Sequence, residues 1–561
     1  MRALKMKTLL AQILQGAGFA ALGSVLSLSA HAAAPGITGS TAAGADTFNL
    51  DAADTHITQP DGTVVYSWGY GCSVAPAGFA PAAPATPIAG ATCPTVQLPG
   101  PTLIVTEGDV VTVNLTNNLP AAAGNTSILF PGFQVTSTGG TTGVLAQEAP
   151  NASLASTAGA NTVTYTFTAS TPGTHAYYSG TQGDLQIEMG LSGALIVLPK
   201  TPVTTGATAG SHCVGLGADA AKNFHTEGDF RLSTSAYDHP ASCYDREYLF
   251  QFSEMMGPLH LAVEQQVLAD KANKAAGNAS CTSASGCLVV STEPYVPNYF
   301  MINGRSMPDD MDPNYAPQYP SQPYNGNPHM HPGELTLLRV IGQGHMQHPF
   351  HEHANHVRIL ARDGNLLLDP TAATAPNAAL PAGPLLFTTT TTPGLAFDGI
   401  FYWTGRGLNW DVFGHGYAGD TTPCVPDANG YYTVKSDGTT AAAEPNYYEW
   451  CGDHTKALEK NPFGQVNSGG PATLPDPTIV VNGLWYGGSP YLGAEATARA
   501  VGNTPLPVVG TTANNPATEA GYAYMWHSHN EREITTNNIF PGGMLMMMLI
   551  DARSFQINES N

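Results

Sequence analysis

The chain has 561 residues, of which 20 are Lys or Arg and 42 are Asp or Glu, so its formal net charge is −22. Phosphate backbones and anionic lipid surfaces repel such an acidic chain, which argues against nucleic acid and anionic membranes as partners. Charged residues make up only 11% of the chain, whereas it has 61 Gly and 44 Pro. This composition is typical of β-rich, turn-rich exported proteins.

Residues 1–32 have the pattern of a secretory signal peptide. Three basic residues precede the apolar run Leu9–Leu28, which is followed by Ala30-His31-Ala32, a small-x-small cleavage signal. The alternative is a membrane anchor, but the run contains two Gln and several Gly, and no charged stop follows it. No later stretch is long and apolar enough to span a bilayer. We therefore expect an exported protein, periplasmic or extracellular, with no membrane span once the signal is removed.

The eight cysteines fall into four couples that are close in sequence: Cys72/Cys93, Cys213/Cys243, Cys281/Cys287 and Cys424/Cys451. Many connectivities are possible, and local pairing is the simplest because each bond would close one irregular loop. None of the couples has the Cys-x-x-Cys spacing of a structural zinc site or a redox dithiol. We therefore predict four structural disulfides and no free thiol, which fits an oxidising compartment.

Strand patterns dominate the rest of the chain. Alternating apolar and polar residues between turn signals predict a first β domain over residues 45–200. Residues 201–243 lack strong periodicity and are predicted to be a linker. A second β pattern covers residues 244–555, and a Gly-, Pro- and Asn-rich segment at about 405–520 is predicted to be an insertion within it. The alternative is a third, degenerate domain within residues 405–555.

Histidine is concentrated in two stretches of the second β region. The stretch Gly344–Leu360, GHMQHPFHEHANHVRIL, carries five of the 18 histidines. Side chains alternate between faces along a strand, so His351 and His353 point the same way. His527 and His529 repeat this His-x-His spacing in another strand-like run. Two such strands brought together would present four imidazoles to one locus, and imidazole suits copper or zinc.

The alternative for each histidine is a structural role, since imidazole has both a donor and an acceptor that a fold can satisfy. Repetition favours metal binding for the two His-x-His pairs. For His345, His348 and His356 taken singly, the structural role is favoured. A similar choice applies to the methionine-rich run Met544–Met548: thioethers bind Cu(I), but such a run is more often a packed core strand.

The histidine motifs and the start of the chain resemble the multicopper oxidase family. HPFHEH at 348–353 and WHSHNERE at 526–533, with Gly543-Met544 beyond, are similar to the carboxyl-terminal copper motifs of that family. Leu98–Pro120 resembles its first-domain entry, and Thr171–Val197 resembles its later strands. The resemblance implies an all-β fold of tandem cupredoxin-like Greek-key β-sandwiches with large loop insertions. It also implies copper as the cofactor, and small phenols or metal ions as substrates.

The chain departs from this family at several copper ligands. The resemblance would place the thiolate of the mononuclear copper site at Ser528 and one of its histidines at Glu533, so that only His348 remains in register. Where the family has its first-domain His-x-His motifs, the chain has Leu129–Gly132 and Tyr178–Gly180. Four of the eight ligands of the three-copper cluster remain: His351, His353, His527 and His529.

Weaker candidates for the same site are His348, His356, Glu531 and Glu533. A carboxylate would widen the choice to iron or manganese, but we expect one or two copper ions in preference to zinc or manganese. Three functions stay open: an oxidoreductase with a non-standard copper site, a copper-binding or copper-sequestering protein without turnover, and a cell-surface structural scaffold. The intact His pairs argue against the third, and the lost thiolate argues against the family's usual form of the first. An oligomer is compatible with each.

Overall fold

The structure is a computed structural model. It describes residues 34–39, 44–81, 91–153, 160–203, 212–213, 229–370, 380–406, 421–455 without 442, 443 and 445, 488–490, 521–551 and 557. The predicted signal peptide at 1–32, part of the predicted linker at 201–243 and most of the predicted insertion at 405–520 lie outside these residues. The division into two or three domains therefore stays a prediction.

The first β-sandwich is built from two five-stranded sheets. Its strands are β1 (Gly36–Thr38), β2 (Ala45–Thr58), β3 (Val64–Cys72), β4 (Gly78–Ala80), β5 (Leu103–Thr106), β6 (Val110–Asn117), β7 (Thr136–Gly139), β8 (Thr141–Thr142), β9 (Gln147–Glu148), β10 (Thr162–Thr168), β11 (Gly173–Tyr178) and β12 (Ser192–Leu198). One sheet has the order β11–β12–β5–β1–β4 and the other β3–β2–β6–β10–β7, while β8 and β9 form a small hairpin.

The second β-sandwich carries the histidine motifs. Its strands are β13 (Arg246–Met255), β14 (Tyr299–Ile302), β15 (His329–Met330), β16 (Leu335–Gly342), β17 (His348–Glu352), β18 (Val357–Arg362), β19 (Asn365–Leu366), β20 (Leu385–Leu386), β21 (Thr388–Thr391), β22 (Ala396–Tyr402), β23 (Gly488–Pro490), β24 (Gly521–Ser528) and β25 (Leu545–Asp551). One sheet runs β14–β13–β16–β22–β18–β19, with β20 paired to β18. The other runs β15–β25–β24–β17–β21, with β23 paired to β24.

Alternating apolar and polar residues place one apolar face of each strand in the core of its sandwich. In β6, Val111, Val113 and Leu115 are buried, whereas Thr112 and Asn114 between them are only half-buried. Burial of such an aliphatic side chain contributes roughly 1.5–3 kcal/mol, so each strand adds substantially to the stability of its sandwich. The two cores are separate apolar clusters, each formed by residues from both of its sheets.

The methionine-rich strand β25 divides its side chains between two faces. Met544, Met546 and Met548 are fully buried in the second core, beside Tyr524 of the neighbouring strand β24. Met547 points to the opposite face and is half-buried. The prediction of a packed core strand is thus confirmed for three of the four methionines.

The structure contains one long helix that the sequence analysis missed. Helix α1 is the single turn Gly183–Gln186, and α2 spans Gly257–Ala275. Three short 3₁₀ turns lie at Ala121–Ala123, Pro240–Ser242 and Asp309–Met311. Leu259, Val263 and Val267 recur every fourth residue along α2 and pack on the core of the first sandwich. No helix in the described part of the chain is both long and apolar enough to cross a bilayer.

All four predicted disulfides are present. Cys72–Cys93, Cys213–Cys243, Cys281–Cys287 and Cys424–Cys451 are bonded, and no cysteine is free. Each bond closes a short segment, so the cysteines act as local clamps within irregular regions.

A buried polar contact joins the two sandwiches. Thr174 of β11 donates its hydroxyl to the carboxylate of Asp398 of β22 at 2.6 Å. Tyr237, in the segment between the sandwiches, donates to the same carboxylate. Arg339 of β16 lies 3.8 Å from it and donates to Glu247 at 2.8 Å. Because every group in this contact is buried, its partners fix how the two sandwiches meet.

Candidate metal centre

Two adjacent strands bring the His-x-His motifs together. Strands β17 and β24 pair antiparallel, and His351 lies directly opposite His527 in the ladder. Directly opposed residues share one face of a sheet, so both imidazoles leave the sheet on the same side. His353 follows on that face, one rung further along. The spacing of the imidazoles is therefore set by the hydrogen bonds between two neighbouring strands.

Three of the four predicted ligands converge closely. One ring nitrogen each of His351, His353 and His527 lies within 4.8 Å of the other two. The Nε2 atoms of His353 and His527 are 3.2 Å apart. Imidazole nitrogens bound to one ion at about 2 Å each lie roughly 3–4 Å apart, so this spacing suits a shared metal ion.

His529 and Glu531 lie at the open edge of this cluster. The ring centroid of His529 is 4.6 Å from that of His351, but its side chain is 45% exposed. Glu531 is 74% exposed, with its carboxylate 3.6 Å from Nδ1 of His529. His529 therefore lies beside the three buried rings at the solvent edge of the cluster, while Glu531 lies toward solvent.

Burial and neighbouring imidazoles keep His351 and His527 neutral. Burial and the neighbouring rings of His353, His527 and His529 lower the pKa of His351 to about 3. Burial also lowers the pKa of His527. A neutral imidazole has the lone pair that a metal ion needs, so these rings are ready to bind without first releasing a proton.

Hydrogen bonds at Nδ1 orient two of the rings. The Nδ1–H of His527 donates to the carbonyl oxygen of Ser528 at 2.7 Å, and Nδ1 of His351 shares a hydrogen bond of 2.6 Å with the hydroxyl of Thr388 on β21. Such outer contacts fix the ring and leave Nε2 as the donor atom. The donor set fits copper or zinc, because it consists of imidazole nitrogens with no carboxylate among the three buried members.

His348 and Glu533 lie apart from this cluster, on the opposite face of the strands. Nδ1 of His348 is 2.9 Å from Glu533, and its Nε2 is 2.9 Å from Glu254 of β13. Ser528 donates its hydroxyl to the same carboxylate of Glu533. Burial opposes charge on His348, but its hydrogen bonds to the two glutamates outweigh this and raise its pKa to about 9. An imidazolium between two carboxylates therefore occupies the position where the resemblance expects a mononuclear copper.

This buried cluster continues into the first sandwich. Tyr295 donates to Glu188 at 2.6 Å and is 3.2 Å from Glu254. His260 of α2 lies 3.4 Å from Glu188. His260, Tyr295 and the backbone of Met256 hold the pKa of Glu188 below its usual value despite its burial. The sequence does not point to Glu188 or Glu254, because Glu188 lies in the turn after α1 and Glu254 lies in β13, both far along the chain from the histidine motifs.

The remaining candidate residues lie outside the cluster. His356 packs against Phe387, with ring centroids 4.9 Å apart. In the first sandwich Phe130 belongs to the apolar core, 4.8 Å from the ring of Phe167. Leu129 pairs with Tyr178 across the backbone, so the two segments that replace the family's His-x-His motifs do meet. They meet without a metal ligand between them.

A second group of candidate ligand atoms occurs at Cys424, Glu449 and His454. Cys424 is bonded to Cys451, so its sulfur is not available as a thiolate. The Nε2–H of His454 donates to the carbonyl oxygen of Thr422 at 3.0 Å, and its Nδ1 lies 2.8 Å from the carboxylate of Glu449. In the described part of the chain, the His351–His353–His527 cluster is therefore the site best suited to a metal ion.

Two β-sandwiches, the second with His-x-His motifs on neighbouring strands, define a cupredoxin-like fold. Residues 91–202, within the first sandwich, match the sequence profile described as multicopper oxidase. The predicted resemblance to that family is thus confirmed, and the all-β fold with it. No curated protein matches the chain in sequence.

Several solved structures are similar in fold. One is the blue copper oxidase from Nitrosomonas europaea, with 16% identity, a TM-score of 0.39, and coverage of 90% of this chain and 85% of that chain. The multicopper oxidase mgLAC has 14% identity and a TM-score of 0.40 at the same coverages. A copper nitrite reductase from Nitrosomonas europaea has 17% identity and a TM-score of 0.33, and covers 64% of this chain and 84% of that chain.

Proposed function

We propose that the chain is an exported, copper-binding protein of the multicopper oxidase type, whose copper site is formed by His351, His353 and His527, with His529 as a fourth ligand. The observation that carries this proposal is the convergence of three buried imidazoles within 4.8 Å of one another. Export is supported by the signal-like pattern at 1–32 and by the four disulfides. One copper ion fits the three buried rings, and a second would need His529.

The side chains of the site hold the metal and limit its access to water. His351, His353 and His527 are each less than 10% exposed, so they supply nitrogen donors from within the protein. His529 and Glu531 border the open side, where a small molecule or a cation would enter. Bound copper would supply the one-electron couple between Cu(II) and Cu(I). The hydroxyl of Thr388 orients the ring of His351, and the carbonyl of Ser528 orients the ring of His527.

The cluster around Ser528 favours a binder with little turnover over an efficient oxidase. In the family, the mononuclear copper passes electrons through its thiolate to the three-copper cluster. Here Ser528 and His348 are both hydrogen-bonded to Glu533, and the described residues of the first sandwich contribute no histidine to the site. Electron delivery by the family's route is therefore absent from this chain.

Metal analysis of the purified mature protein tests the proposal. The protein would be loaded with Cu(II), Zn(II) or Mn(II), dialysed, and analysed for metal content. We expect one to two copper ions per chain, and loss of most of that copper in the double variant His351→Ala/His527→Ala. His356→Ala is the matched control, because it removes a nearby histidine that lies outside the cluster, and it should retain copper.

Circular dichroism and the thermal midpoint of each variant show whether it is folded before its copper content is compared. Equal copper content in the wild type and the double variant, with both folded, would show that the histidine cluster is not the copper site. Retention of zinc or manganese in place of copper would overturn the metal assignment while leaving the site intact.

A further inference from the structure

The histidine cluster has sulfur donors beside it on the same face of the sheet. Met525 of β24 precedes His527 by two residues, so both side chains lie on one face. Met547 of β25 lies directly opposite Met525 in the antiparallel ladder. Both methionines are half-buried, unlike the fully buried Met544, Met546 and Met548 on the core face. Two accessible thioethers thus face each other across neighbouring strands.

The same rung of the sheet continues to His353. The backbone N–H of His353 donates to the carbonyl of Met525 at 3.3 Å, which extends the pairing of β17 with β24 by one step. Three neighbouring strands therefore place His353, Met525 and Met547 in a row. The adjacent rung holds His351, His527 and Leu545. His353 is shared between the histidine cluster and this row, because its Nε2 lies 3.2 Å from that of His527.

The chemistry of this row suits a soft, monovalent ion. β-Carbons of directly opposed residues in an antiparallel pair lie about 4.5–5.5 Å apart. A methionine side chain has three rotatable bonds, so two opposed thioethers can place their sulfur atoms on one ion. Thioether sulfur selects Cu(I) over hard or divalent ions, whereas imidazole accepts both copper states. The row offers no carboxylate.

We infer that Met525 and Met547, with His353, form a Cu(I) site beside the histidine cluster. This inference rests on the proposed function, because the site would accept Cu(I) and pass it to the neighbouring imidazoles. No bond is made or broken apart from metal–ligand bonds, and no electron is transferred in the step. His353 is the group through which the ion moves from sulfur to nitrogen donors.

Anaerobic titration with Cu(I) against a chromogenic chelator tests the site, with Ag(I) as a second soft probe. In Met525→Leu/Met547→Leu we expect Cu(I) affinity to fall at least about tenfold, since even loss of an outer-shell contact costs about that much. The Cu(II) content measured after dialysis should not change. The matched control is Met546→Leu/Met548→Leu, which removes two thioethers from the same strand but on the core face, and its Cu(I) affinity should equal that of the wild type.

Oxidative footprinting of the wild-type protein gives a measurement that needs no variant. Brief exposure to peroxide converts accessible methionine to its sulfoxide, which mass spectrometry locates. Ag(I) should protect Met525 and Met547 but not other half-buried methionines, such as Met256 and Met346. Unchanged Cu(I) affinity in the Met525/Met547 variant, or equal sulfoxide formation with and without Ag(I), would overturn the inference. Failure of Cu(II) binding by the histidines would instead overturn the proposed function, so the two failures are distinguishable.

Discussion

Ser528, which stands where the resemblance expects a cysteine, belongs to a buried hydrogen-bonded group. Its hydroxyl, the carboxylate of Glu533 and the imidazolium of His348 form one buried group, closed by Glu254. The imidazolium of His348 thus places a positive charge where the resemblance expects a copper ion. Removal of one partner from such a buried ion pair typically costs about 3–5 kcal/mol, which makes the cluster a structural element in its own right.

The position can be converted back into a thiolate copper site. His348 and Ser528 are both hydrogen-bonded to the carboxylate of Glu533, so Ser528→Cys/Glu533→His would place one thiolate and two imidazoles around a single point. We expect the copper-loaded double variant to show the intense blue absorption of copper–thiolate charge transfer, and we expect the copper-loaded wild type to show none. Ser528→Cys alone is the control. A colourless, folded, copper-loaded double variant would contradict this prediction.

Replacement of the buried Glu352 by an apolar residue should stabilise the fold. It lies between His351 and His353 on the core face, is fully buried, and neither carboxyl oxygen has a hydrogen-bond partner among the described residues. Burial raises the pKa of Glu352 well above its usual value, so the folded protein holds a proton there that the unfolded chain releases. This group therefore opposes folding increasingly as the pH rises above its ordinary pKa of about 4.3.

We expect Glu352→Leu to raise the free energy of unfolding by roughly 1–3 kcal/mol at neutral pH, because an unpaired polar group leaves the core. The gain should shrink in acid. Thermal melts at several pH values measure it, and Glu531→Leu, at a side chain that is 74% exposed, serves as the control with little change. A lower thermal midpoint for Glu352→Leu at neutral pH would show that the carboxyl has a partner.

At the scale of elements, strands were predicted well and the long helix was not. Alternation over residues 110–115 and 163–168 predicts two strands, and the structure has β6 at Val110–Asn117 and β10 at Thr162–Thr168. The agreement is within two residues because one face of each strand is buried. Helix α2 was missed although Leu259, Val263 and Val267 have helical spacing, since its exposed face contains further apolar residues, including Leu261 and Leu268. The His-x-His pairs could be predicted from alternation, but the pairing of β17 with β24 spans more than 170 residues and required the structure.

Strand pairing also sets the pH response of the site. From the ordinary histidine pKa near 6.5, the sequence predicts that copper affinity weakens as the pH falls through that range. Packing on paired strands lowers the pKa of His351 to about 3 and also lowers that of His527. Protons therefore compete with copper at these two ligands only in stronger acid.

We expect half-release of copper from the wild type at a pH below the ordinary histidine pKa of about 6.5, measured by dialysis against buffers of decreasing pH. The stability of the metal-free protein should also fall in acid. The unfolded chain binds protons at these histidines that the folded protein does not, so the free energy of unfolding falls as the pH drops below about 6.5. Half-release at or above that value would contradict the assignment of His351 and His527 as ligands.

At the scale of the whole molecule, the two sandwiches differ in their contribution to chemistry. The sequence predicts this, because the four remaining cluster histidines all lie after residue 350. It could not predict that the position of the lost copper is tied to the first sandwich through Tyr295 and Glu188. That link joins groups brought together only by the docking of the sandwiches.

An oxidase assay tests the whole-molecule consequence. Reduction of oxygen to water needs four electrons, and this chain retains four of the eight family ligands and no thiolate. We expect feeble oxygen uptake with a phenol or a reduced metal ion, with peroxide among the products. His527→Ala/His529→Ala should abolish even this activity. Rapid uptake without peroxide in the wild type, lost in the variant, would show that another part of the chain completes a full oxidase site.

Because His351 and His527 lie on two strands that are hydrogen-bonded to each other, the distance between their imidazoles does not depend on how the sandwiches are oriented. His351 and His527 stay opposed for as long as β17 and β24 remain paired. Bound metal would then report whether β17 and β24 are still paired. During heating, copper release would coincide with the separation of these two strands, and it would be unaffected by earlier loosening between the sandwiches.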